Sequence, residues 1–195
     1  MKKQIVILCT LVLSACTLTA QNKTTGNLKS HIAIGAGIVP TFVADGAATA
    51  VPPITFKAGY QLGRQFSLSG FFGYTEAHSK PSLVSDGQFV YAQNTLIVAG
   101  IRGEWKKPLT EKFDVYGGGM LGIAHSRLRE FDQTSGQRHI RQVGSPSPHD
   151  PNAANAGLFY TGFVGGQYFF RKNLGLFLEA GFGISLLNTG VVVRL

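Results

Sequence analysis

The sequence predicts an all-β fold, an eight-stranded antiparallel up-and-down barrel that crosses a membrane. Three observations predict it. Apolar residues alternate with small or polar ones in eight separate runs. Because successive side chains of a strand point to opposite faces, each run has one greasy and one narrow face. No stretch offers the roughly 20 consecutive apolar residues that a spanning helix needs, so insertion falls to strands. The chain is 44% hydrophobic and only 14% charged, with 25 glycines, a balance that suits lipid as the covering solvent.

Residues 1–20 read as an export signal: Lys2 and Lys3, an apolar run from Ile5 to Leu13, then small residues up to Ala20. Two cleavage readings fit. Leu13-Ser14-Ala15-Cys16 has the form of a lipobox, which would leave Cys16 as a lipidated first residue; cleavage after Ala20 is the other. Both cysteines, Cys9 and Cys16, lie in this segment, so the remaining domain has no thiol chemistry. Loss of Lys2 and Lys3 takes the formal charge of +8 down by two, to +6. For an exported chain that charge points to anionic headgroups rather than nucleic acid.

Residues 21–30 form a short polar lead, and the barrel domain covers 31–195. The first run, 31–43, sets Ile32, Ile34, Ala36, Ile38 and Phe42 outward, with His31, Ala33, Gly35 and Gly37 inward. The second, 54–62, opposes Ile54, Phe56, Ala58, Tyr60 and Leu62 to Thr55, Lys57, Gly59 and Gln61. The third, 66–75, opposes Phe66, Leu68, Gly70, Phe72 and Tyr74 to Ser67, Ser69, Phe71, Gly73 and Thr75. In the fourth, 91–105, Thr95, Ile97, Ala99, Ile101 and Trp105 face outward, against Asn94, Leu96, Val98, Gly100, Arg102 and Glu104. The fifth begins at Phe113, reaches about Arg127 and is interrupted by Gly117-Gly118-Gly119, which suits a bend in the wall. The sixth, 158–170, is so aromatic that its phase stays open. The seventh, 174–186, sets Leu174, Leu176, Leu178, Ala180, Phe182, Ile184 and Leu186 on the greasy outward face, against Gly175, Phe177, Glu179, Gly181, Gly183 and Ser185, and it and the eighth, 191–195, flank a tight turn at Asn188-Thr189-Gly190.

Turn lengths give orientation. The connections at 63–65, 106–112 and 171–173 are short, whereas 44–53, 77–88 and 131–155 are long and mostly polar. This alternation places the short turns and both termini on the periplasmic side. Trp105, Phe66, Phe113, Tyr168 and Phe170 cluster near the short turns as an interfacial girdle would.

This exported meander resembles the small eight-stranded outer-membrane β-barrels of Gram-negative bacteria, the OmpA/OmpX-like and opacity-protein-like group. The resemblance covers about residues 31–195 and rests on pattern. The chain ends Val193-Arg194-Leu195, where that group usually has an aromatic residue read by the assembly machinery. The resemblance implies outer-membrane localisation, contact with outer-membrane lipids and that machinery, and a monomer.

The inward-facing charges, Lys57, Arg102, Glu104, Glu179 and Arg194, are expected to pair with one another, because an eight-stranded barrel is just wide enough for side chains to fill it. His125-Ser126 invites a catalytic reading, but adjacent strand residues face opposite ways and cannot share a site. His139, His149 and Asp150 have no compact metal-ligand spacing, so no metal, cofactor or catalytic residue is assigned. Arg127, Arg129, Arg138 and Arg141 form a basic outer rim whose guanidinium forks suit lipopolysaccharide phosphates.

The leading expectation is a non-enzymatic integral outer-membrane protein with a structural, adhesion or surface-interaction role through its loops. A narrow passive channel is the alternative and a lipid-modifying barrel enzyme the third. The two cleavage readings separate cleanly. Metabolic labelling with a radioactive fatty acid marks the protein if Cys16 is the lipidated residue, and an unlabelled band ends that reading.

Overall fold

A computed structural model describes residues 30–41, 47–83, 87–139 and 157–195. The export signal, nearly all of the polar lead, Cys16, Arg141, His149 and Asp150 lie outside the described residues. The strands are β1 (Ser30–Gly37), β2 (Ala48–Gln61), β3 (Phe66–His78), β4 (Ser82–Leu83), β5 (Phe89–Pro108), β6 (Phe113–Asp132), β7 (Gly157–Phe169), β8 (Leu174–Gly181) and β9 (Leu187–Arg194). All pairings are antiparallel. The two-residue β4 is an appendage on β5, and the other eight strands build the wall.

Closure comes from two long-range seams. β1 pairs with both β2 and β9, bringing the two ends of the described chain side by side, and β3 pairs with β5 across the β4 segment. Every wall strand therefore has two neighbours. A membrane demands this, because an unpaired backbone edge has no water to satisfy it in hydrocarbon.

The two faces follow the alternation. Outward lie Ile34, Ile54, Phe56, Phe72, Ile101, Leu121, Val164, Leu176, Leu178 and Val191, all exposed. Inward lie Thr55, Lys57, Ser67, Phe71, Val98, Arg102, Phe177 and Glu179, all buried. An apolar exterior around a charged interior inverts the arrangement of a soluble barrel and defines a transmembrane wall. The open phase of the sixth run resolves as Phe163, Gln167 and Phe169 inward, with Leu158, Tyr160, Val164 and Tyr168 outward.

Three sequence expectations are corrected. The closing turn does not lie at Asn188-Thr189-Gly190. Those residues belong to β9, paired with Glu179, Leu178 and Phe177, and the chain reverses at residues 182–186 instead. Asn188 is held inside the barrel by donating Nδ2–H to Thr55 Oγ1 at 2.8 Å, and a Cβ on Gly190 would meet the Ile34 carbonyl oxygen at 2.0 Å. Turn-forming residue types here serve a crowded seam. Second, Ile184 points inward at 2% exposure, because the reversing segment tips over the mouth and Val39 N–H donates to Ser185 Oγ.

Third, Gly117-Gly118-Gly119 does not interrupt its strand. β6 runs through it in register with Trp105, Glu104 and Gly103, and a Cβ on Gly118 would lie 2.0 Å from the Gly103 carbonyl oxygen. β5 and β6 are 20 residues each, longer than the runs that predicted them. β6 stops where Asp132 Oδ1 accepts the Thr134 and Ser135 amides and Gly136 takes a φ of 66°. The Ser135 amide holds the Asp132 carboxyl below its ordinary range, against a small effect of burial.

Gly190→Val should stop the β1–β9 seam from closing and destabilise the barrel by about 3 kcal/mol. Gly63→Ala, with open space around the added carbon, serves as the control. Heat-modifiable gel migration reads both, and normal migration of the valine variant would contradict the seam.

Candidate functional site

Two regions carry chemistry: the charged interior and the outward face of the long β3–β5–β6 blade.

In the interior, Glu179 on β8 is the hub. Its Oε1 accepts Arg102 Nη1 at 3.0 Å and its Oε2 accepts Arg102 Nη2 at 2.7 Å, a two-pronged pair. Lys57 Nζ donates to the same Oε2 at 3.2 Å, and the Tyr116 hydroxyl also donates to it, at 3.0 Å. Four strands thus converge on one carboxylate: β2 through Lys57, β5 through Arg102, β6 through Tyr116 and β8 itself. Glu104 continues the chain of charge, with Oε1 3.3 Å from Arg102 Nε and Oε2 3.4 Å from Lys106 Nζ, and it accepts Ser67 Oγ at 3.3 Å.

Aromatic faces cover the cations. Lys57 Nζ lies 3.7 Å from the Phe177 ring centre, and the Arg102 guanidinium 3.6 Å from that of Phe163. The negative ring faces offset part of the lost hydration. Toward the long-loop end, Phe71, Leu96, Val98, Met120, Phe163 and Ile184 form an apolar layer above the charges. Ala33, Phe169, Phe177 and Val192 form a second cluster in the lumen. The cavity beside Glu179, Arg102 and Ile184 holds only about 20 Å³, so the layers leave no room for an aqueous pore at this level.

Of the five inward charges singled out from sequence, Lys57, Arg102, Glu104 and Glu179 come together. Arg194 does not join them. It pairs with Asp114 on β6 and lies 3.4 Å over the Phe169 ring, nearer the short-turn mouth. Tyr116, Lys106 and Asp114 escaped the sequence reading, whereas Ser67 was read as inward and proves to be a partner of Glu104. For Lys106 a signal existed: Trp105 faces outward, so parity turns its neighbour inward.

On the blade, the outward face changes character along one line. Tyr74, Ile97 and His125 are in register on β3, β5 and β6, and below them the outward residues are almost wholly apolar. Above them come the rungs Glu76–Thr95–Arg127 and His78–Gln93–Arg129, and then Tyr91 beside Phe131. Glu76 Oε2 accepts the Tyr74 hydroxyl at 3.1 Å, and Glu76 Oε1 lies 3.1 Å from His78 Nε2. Tyr91 stacks on Phe131 at 5.8 Å and contacts the His78 ring at 5.3 Å. Arg127 and Arg129 alternate outward with His125. Arg138 is exposed and bridges back to Phe131.

His125 and Ser126 lie on opposite faces of the wall. His125 is exposed, while Ser126 Oγ donates inward to Asn94 Oδ1. His139 N–H donates to the Glu130 carbonyl at 2.9 Å, and no group of three potential metal ligands occurs among the described residues.

A closed antiparallel wall, greasy outside and charged inside, is an integral membrane β-barrel. No family model matches the chain, and no curated protein matches its sequence. Among solved structures it is similar to Ail, the attachment invasion locus protein of Yersinia pestis, solved with the heparin analogue sucrose octasulfate. The identity is 13%, the TM-score 0.49, and the match covers 87% of this chain and 96% of that one. It is similar also to Neisserial surface protein A, at 12% identity and a TM-score of 0.45, covering 86% and 94%. A third is the N-terminal β-barrel domain of Pseudomonas aeruginosa OprF, at 14% and 0.38, covering 87% and 98%.

Removing the hub charge leaves Lys57 buried without its anion and Arg102 with Glu104 alone. Glu179→Gln should lower stability by about 3–5 kcal/mol, and adding Lys57→Met should recover part of the loss. Thermal melting of the folded gel form measures both, and an unchanged melting temperature in the single variant would contradict the pairing.

Proposed function

We propose that the chain is a non-enzymatic outer-membrane protein that acts through the projecting face of its β3–β5–β6 blade on anionic groups of the outer leaflet and cell surface. The observation that carries this reading is the level line at Tyr74, Ile97 and His125. A 20-residue strand is roughly 66 Å long, and a tilted strand needs only about nine to eleven residues to cross hydrocarbon. About half of β5 and β6 therefore stands clear of the belt, with Arg127 and Arg129 at its outward foot.

That height is where lipopolysaccharide phosphates lie, and arginine forks match phosphate oxygens in two-pronged contacts. The stacked Tyr91 and Phe131 above them offer flat faces of the kind that accept sugar rings. The packed lumen supports a structural role for the interior network and argues against the passive channel. The separation of His125 from Ser126 argues against the lipid-modifying enzyme. The export signal and the alternation of short turns with long loops support the outer membrane as the location, with the blade outside.

Arg127→Gln combined with Arg129→Gln should weaken binding of purified lipopolysaccharide to the detergent-solubilised protein about ten-fold while leaving the barrel folded. Unchanged binding would remove the blade reading, and a reproducible open level in a planar bilayer would remove the sealed lumen.

A further inference from the structure

The opposite end of the barrel carries a second charged surface. Each of the three short turns places cations beside a girdle aromatic: Arg64 before Phe66, Lys107 after Trp105, Lys112 before Phe113, and Arg171 with Lys172 after Phe170. All five side chains are exposed, and none has a carboxylate partner among the described residues. The acidic residues nearby are few. Asp114 is taken by Arg194, which leaves the exposed Glu111 as the one uncommitted carboxylate of these turns among the described residues.

Height decides what such charges meet. Trp105 is 59% exposed and Tyr168 49%, on the lipid side of the wall, and exposed aromatics of this kind mark the membrane interface. The cations follow them by one or two residues, so they stand at the level of headgroups. Two turns also share a cleft of about 400 Å³ whose lining includes Lys112, Arg171, Lys172 and Arg194, with Glu111 as its side-chain carboxylate. A cleft in which cations outnumber carboxylates in this way fits a phosphate headgroup. On the blade, by contrast, Arg127 shares its rung with Glu76 and Arg129 shares its rung with His78, a mixed surface.

We infer that the short-turn end is a collar that selects anionic phospholipid headgroups, with Lys107, Lys112, Arg171 and Lys172 as its contacts and the Lys112–Arg171–Lys172 cleft as its best-formed site. The inference rests on the membrane reading of the barrel but not on the blade reading, since it concerns the other end. A clamp on headgroups at this level sets the depth and tilt of the barrel.

The test uses the full chain refolded into vesicles of phosphatidylcholine, alone or mixed with phosphatidylglycerol, with spin-labelled versions of each lipid. Electron spin resonance measures the lipid held at the protein surface. The wild type should prefer phosphatidylglycerol about five-fold at low salt, the effect of roughly one well-placed cation. The preference should vanish near 1 M salt, where screening acts within about 3 Å. Lys107→Gln, Lys112→Gln, Arg171→Gln and Lys172→Gln together should bring it close to parity, whereas Lys80→Gln, at an exposed cation of the long-loop end, should leave it unchanged. Equal retention of both lipids by the wild type, a salt-independent preference, or a preference that survives the fourfold variant overturns the collar. A chain that enters neither vesicle overturns the membrane reading beneath it.

Discussion

Glu179 is the buried charge on which the interior depends. A carboxylate taken out of water costs several kcal/mol unless its neighbours replace the lost hydration, and here a guanidinium, an ammonium and a phenol do so together. Because those three groups come from three other strands, the network spans the cross-section. It ties β2, β5 and β8, which have no backbone pairing to one another. Phe177 and Phe163 against the cations, with the apolar layer sealed by Ile184, hold the cluster in a low dielectric where each pair is stronger than in water.

A filled lumen moves function to the ends. The wall must close without an edge, and closure puts glycines where strands press together: Gly190 against the Ile34 carbonyl and Gly118 against that of Gly103. The lipid belt then sets a height scale. Below it lies a short-turn surface that is almost wholly basic, and above it a blade on which arginines alternate with carboxylates and stacked rings. One barrel thus offers two chemically distinct surfaces, each at a membrane interface.

Legibility followed burial. In runs such as 66–75 and 91–105 every inward and outward assignment could be read, because hydrocarbon outside and packing inside both constrain side-chain type. Outside the hydrocarbon that contrast fades. Gln93, Thr95, Arg127 and Arg129 continue strands whose backbone pairing persists while both faces turn polar, so β5 and β6 looked shorter than they are. Tyr116 and Asp114 were missed for a related reason: in a run broken by three glycines their parity carried little weight.

The sequence by itself determined the two-faced wall, the strand number and the inward direction of Lys57, Arg102, Glu104 and Glu179, since each follows from a period of two. Only the tertiary structure decided who meets whom. Arg194 finds Asp114 and not Glu179 because register between distant strands sets the height of every inward side chain. Asn188-Thr189-Gly190 stays in a strand because the β1–β9 seam needs a small residue at Gly190 and gives Asn188 a partner in Thr55. Such pairings depend on contacts between residues 80 to 133 positions apart, which no local pattern encodes.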